Sequence, residues 1–104
     1  MGPISTILSD ESKWVQGMFA ADSTNLGCDV QAPMACKFCL VGAALKAVTI
    51  GEGKYDAVEH AGNILKLMDA VHKYTGKDTP VLYFNDSPKT TFKDIQNVLE
   101  IAGL

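Results

Sequence analysis

The sequence predicts a mainly α fold, a compact bundle of about four helices with one short extended segment near residues 80–84, built as a single small domain over residues 1–104. Three observations carry that expectation. Apolar residues recur at helical spacing from Val58 to Val71, a run that is apolar around most of its circumference follows Pro33, and Thr91 with Asp94 announces a last helix through a capping box. Beside them stands one β-branched and aromatic run, Pro80-Val81-Leu82-Tyr83-Phe84, long enough for a single strand.

From the N-terminus, Ile4, Ile7 and Leu8 suit a short first turn, and the apolar phase then breaks across Ser9-Asp10-Glu11-Ser12. Ser9 or Asp10 is placed to cap a second short helix that carries Trp14. Residues 21–32 are rich in Asp, Ser, Asn and Gly, whose side chains bond nearby backbone, and they read as a loop. Pro33 suits a first helical position, where its missing N–H is unneeded, and the run to about Val48 meets no strong breaker except Gly42. Ala35, Phe38, Cys39, Val41, Gly42, Ala43, Leu45 and Val48 wrap most of that helix, with Lys37 and Lys46 leaving a narrow wet edge, which predicts burial between others. Gly51-Glu52-Gly53 ends it. In the next helix Val58, Ala61, Ile64, Leu65, Met68 and Val71 form one stripe, Glu59, His60, Asn63, Lys66 and Lys73 face elsewhere, and Gly76 is a natural left-handed terminator. Asn85 to Thr90 read as a turn, and Phe92, Ile95, Val98, Leu99 and Ala102 as the inward stripe of the last helix.

Composition narrows the function classes. With 47% hydrophobic and 20% charged residues, the 104-residue chain can bury enough apolar surface to offset the entropy of ordering it. A formal net charge of −3, scattered lysines and no arginine provide neither a general attraction for phosphate nor the bidentate fork used in base reading, so no nucleic-acid partner is expected. The longest unbroken apolar stretch, Phe38 to Leu45, is far short of the roughly 20 residues that span a bilayer. The first residues also lack a basic run ahead of an apolar core, so neither a membrane partner nor secretion is expected. Cys28, Cys36 and Cys39 are odd in number and too few for a disulfide scaffold, which fits reduced thiols in a cytoplasm.

Three short motifs, Trp14-Val15-Gln16-Gly17, Phe38-Cys39-Leu40-Val41-Gly42-Ala43 and Asn85-Asp86-Ser87-Pro88, resemble those of a family of short uncharacterised proteins, a domain of unknown function common in actinobacteria and phages. The likeness runs from about Leu8 to Ala102, with Ala44 where the family pattern has Leu and with Cys28 and Cys36 outside it. The resemblance implies one domain and a phage or mobile-element origin, and carries no activity with it.

Cys36-Lys37-Phe38-Cys39 has redox spacing, yet it falls inside the expected helix with no strand–helix unit before it, so Cys39 reads as a small core residue. Cys28, Cys36 and Cys39 with one histidine lack the paired spacing of a zinc site, and His60 and His72 lie about 18 Å apart along one helix, so no metal is expected. Nucleophilic catalysis would draw on Cys39 with Gln16, Asn85 and Asp86, and the family pattern has no fixed histidine to act as base. Trp14, Gln16, Asn85 and Asp86 are the candidate binding residues, although Trp14 suits a core anchor whose indole finds a carbonyl and Gln16 is placed to bond the 85–88 turn across the domain. The leading expectation is a small cytoplasmic binding or regulatory protein without cofactor, acting through a protein partner or self-association, with Ile4, Ile7 and Leu8 as an exposed patch. The competing expectation is a hydrolase or transferase built on Cys39.

Overall fold

The computed structural model describes residues 2–104. Among them are five α-helices, α1 (Pro3–Ile7), α2 (Leu40–Ala47), α3 (Ala57–Thr75), α4 (Val81–Asp86) and α5 (Phe92–Ala102), with a 3₁₀ turn at Glu11–Lys13. Four short strands, β1 (Ala20–Ala21), β2 (Lys37–Phe38), β3 (Thr49–Gly51) and β4 (Lys54–Tyr55), pair antiparallel as β1 with β2 and β3 with β4. The fold is mainly α. Leu40, Ala43 and Ala44 of α2 occupy the middle of one core, with Leu67 and Val71 of α3, Phe84 of α4 and Ile95, Val98 and Leu99 of α5 around them. The most extensive packing is between α3 and α5.

Where local chemistry is decisive, the sequence and the structure agree. Asp10 caps the 3₁₀ turn by accepting from the Ser12 amide. Gly76 closes α3 with a φ of 73°, a conformation that costs a side-chain-bearing residue. Thr91 and Asp94 form the reciprocal capping box, and Phe92, Ile95, Val98 and Leu99 are the buried face of α5.

Four expected elements differ, two of them because longer-range pairing outweighs local propensity. The helix expected from Pro33 begins only at Leu40, since Asp29 accepts from the Gln31 amide, the Cys36 amide donates to Ala21, and Lys37–Phe38 pairs with β1. Trp14 lies just past the 3₁₀ turn in extended backbone, bridged to Phe38, rather than on a helix. Gly51-Glu52-Gly53 is the turn of the β3–β4 hairpin, after α2 has already ended at Ala47. The run from Pro80 is helical: Val81, Phe84 and Asn85 are its buried residues, at the i, i+3, i+4 spacing of a helix face.

Two buried faces also differ from expectation. Ile4 and Leu8 are fully enclosed in the core, and only Ile7 is half-exposed, so this stretch is no surface patch. On α3 the buried residues are Asn63, Leu67, Ala70 and Val71. Of the apolar stripe read from the sequence, Val58, Ala61, Leu65 and Met68 face outward.

Candidate functional site

The three sequence motifs meet at one hydrogen-bonded node centred on Asn85, near the end of α4. Its side chain is completely buried. Asn85 Oδ1 accepts from the Trp14 indole at 2.8 Å and from the Leu40 amide at 3.0 Å. Asn85 Nδ2 donates to the Val15 carbonyl at 3.1 Å and to Asp86 Oδ1 at 2.8 Å. An asparagine amide has two acceptor positions and two donor hydrogens, so the side chain is saturated. Gln16 Nε2 donates to the Asn85 and Ser87 carbonyls, both at 2.9 Å, satisfying backbone at the C-terminal end of α4 that has no partner within that helix. The Gly17 amide donates to Asp86 Oδ1 at 2.9 Å from a φ of 80° that favours glycine. Trp14 completes the contact by packing its ring against Phe92, centroids 6.1 Å apart.

Cys39 belongs to the same construction. It is the N-cap of α2, and its Sγ accepts from the Gly42 amide at 3.2 Å, so the first amides of α2 are satisfied by Cys39 Sγ and Asn85 Oδ1 together. The thiol is fully enclosed, and burial pushes its pKa up, only partly offset by the Gly42 and Val41 amides, while the Asp86 charge adds to the rise. Those effects keep sulfur protonated and unapproached, the reverse of a nucleophilic cysteine's setting. Gly42 has a separate duty: a Cβ there would lie 2.0 Å from the Phe19 carbonyl oxygen, which already accepts from the Cys39 amide. Trp14, Gln16, Asn85, Asp86 and Cys39 are therefore brought together, and the bonds they make are to one another and to nearby backbone.

Cys28 is half-buried, Cys36 is exposed, and neither is bonded to another cysteine. Among the described residues no three His, Cys, Asp or Glu side chains gather as a metal site. His72 Nδ1 lies 3.1 Å from Asp78 on the surface, while His60 stands at the opposite end of α3, its ring edge-on to Tyr55.

Two features escaped the sequence reading. The outer face of α3 exposes Val58 (84%), Leu65 (64%) and Met68 (50%), and the neighbouring hairpin adds Ile50 (73%). The pattern of apolar residues was visible, but not that Asn63 and Leu67 would take the inward side. The second feature is a cavity beside His60, walled by residues distant in sequence, for which no local signal exists. Among the described residues no helix is long and apolar enough to cross a membrane.

No curated protein and no solved structure matches the chain. One family, described as a family of unknown function, DUF6197, matches residues 4–103, nearly the whole length. The chain belongs to that family.

Proposed function

We propose that this is a small binding protein that acts through protein contacts on the outer face of α3, and that the occupant of that face is a second copy of the chain. The single observation that carries this reading is the exposed apolar stripe of Val58, Ala61, Leu65 and Met68, on a helix whose inward face is occupied by other residues. An exposed stripe of this length on a soluble-type surface is a feature of contact sites. Charge favours a copy of α3 running antiparallel. The beginning of the helix carries Asp56 and Glu59, and its second half and the residues just past it carry Lys66, Lys73 and Lys77 against Asp69, which pairs with Lys73 at 2.8 Å, and Asp78, so the C-terminal end keeps a small basic excess. A two-fold arrangement centred near the level of Asn63 sets Val58 against Met68 and Ala61 against Leu65 of the other copy. The two helix dipoles also oppose each other favourably.

The 19 residues of α3 give a contact about 28 Å long, at the small end of dimer interfaces, so the association is weak and reversible, with a dissociation constant of about 10–100 µM. Three unpaired thiols support a reducing compartment such as the cytoplasm, and a module of this size whose motif cysteine, Cys39, is enclosed suits regulation by association. Sedimentation equilibrium across a concentration series tests the reading. The wild type is expected to shift from monomer to dimer, and Leu65→Glu to stay monomeric with stability changed by less than about 0.5 kcal/mol. Val58→Glu, opposite Met68 in this arrangement, also weakens the dimer. A wild type that sediments as a monomer up to about 1 mM contradicts the proposal.

A further inference from the structure

A cavity of about 350 Å³ opens between residues 28–30, the α2 surface and the start of α3. Its walls are chiefly apolar, from Phe19, Val30, Val41 and Leu45, and its polar groups are Asp29, His60 and the Cys28 thiol. Size and lining match sites that hold small organic molecules by apolar contact and orient them with a few polar groups.

The polar groups discriminate between ligand classes. His60 Nδ1 is buried and has no hydrogen-bond partner, so no protein bond there fixes the tautomer and the ring can offer the cavity either a donor or an acceptor. Asp29 already accepts from the Gln31 amide at 2.8 Å through Oδ1, and a carboxylate has further acceptor positions. Burial, and after it the nearby Asp22 and Asp29 carboxylates, push the Cys28 thiol up, and with Asp29 in the wall the mouth of the cavity carries negative charge. Such a field repels carboxylates and attracts a cation.

We propose that the cavity binds a small amine with an apolar ring, the ring lying against Val30, Val41 and Leu45 and the ammonium donating to Asp29 and His60. The reading is independent of association through α3, because His60 and the exposed stripe lie on different sides of that helix.

The test is an amide-shift titration by NMR with benzylamine, and with benzyl alcohol and benzoate as matched neutral and anionic probes. It is run on Leu65→Glu as well as on wild type, so that shifts in α3 report ligand rather than association. Benzylamine is expected to give saturable shifts confined to residues 28–30, 41–45 and about His60, with a dissociation constant of about 1 mM for so small a ligand. Benzyl alcohol binds more weakly and benzoate does not bind. Asp29→Asn, at an exposed position, weakens benzylamine about tenfold while leaving the rest of the spectrum in place. His60→Phe, which keeps a ring there, also weakens it. Scattered, non-saturating shifts, equal binding of all three probes, or unchanged affinity in Asp29→Asn would overturn the proposal.

Discussion

Two buried asparagines divide the molecule. Asn85, fully enclosed, fills all its hydrogen-bonding capacity and draws α2, α4 and the Trp14–Gly17 segment onto one point. Asn63, also buried, leaves Nδ2 without a partner, and His60, one turn earlier on α3, leaves Nδ1 without one. The first region satisfies itself, and the second leaves buried polar atoms without partners, beside a cavity that His60 lines. The contrast teaches that the most recognisable motifs of the chain hold it together, whereas the surfaces free to engage something else carry no motif at all.

The largest expected effect tests the closed region. Asn85→Ala strands the Trp14 indole, the Leu40 amide and the Val15 carbonyl in the interior, which costs about 3 kcal/mol or more in equilibrium urea unfolding. Asn63→Ala, measured alongside, removes no hydrogen bond at Nδ2 and costs about 1 kcal/mol or less. Equal losses at the two positions would erase the distinction between the regions.

Gly42→Ala sharpens the comparison from the backbone side. Its new Cβ meets the Phe19 carbonyl at 2.0 Å, so either the segment before β1 moves or α2 does, at a cost of about 1–3 kcal/mol. Crowding should also widen the packing that encloses Cys39, so thiol labelling of Cys39 in the native state, expected to be absent in wild type, is expected to become measurable in this variant.

The smallest effect lies on the acid limb. Asp94 sits below its ordinary value of 3.8 because the Thr91 amide and then the Tyr74 hydroxyl bond its carboxylate. A carboxyl whose folded pKa is depressed adds stability that is complete above the unfolded value and lost as pH falls through the folded one. The stability difference between wild type and Asp94→Asn should therefore be constant near neutrality and shrink below about pH 4. A difference that grows on acidification would show that the capping box is not the source.

Much of this was legible in the sequence wherever a few adjacent residues settle the outcome. The Asp10 cap, the Gly76 terminator and the Thr91–Asp94 box are local chemistry, and each appears where the residues place it. The α2 start was not legible, because Cys36 and Lys37 are drawn into pairing with Ala21, a partner on the far side of a loop. The helix at Val81–Asp86 was disguised by β-branched and aromatic residues, although Val81, Phe84 and Asn85 are spaced for a helical face. On α3 the apolar stripe was visible, but which side turns inward depends on Leu67, Ala70 and Val71 meeting α5 and α2. Of the node, the Gln16 bond across to residues 85–87 follows from the order of the motifs; saturation of Asn85 by four separate partners requires the fold.

Native-state hydrogen exchange of the Leu40 amide tests most directly whether the node is fixed architecture. Its partner is the Asn85 side chain, so its protection reports the node rather than a helix interior. The expected result is exchange with the same free energy as core amides such as those of Val71 and Ile95, through global unfolding alone. Exchange through a local opening, several kcal/mol below the global value, would contradict it and return Trp14, Gln16, Asn85 and Asp86 to the role of a surface open to a ligand.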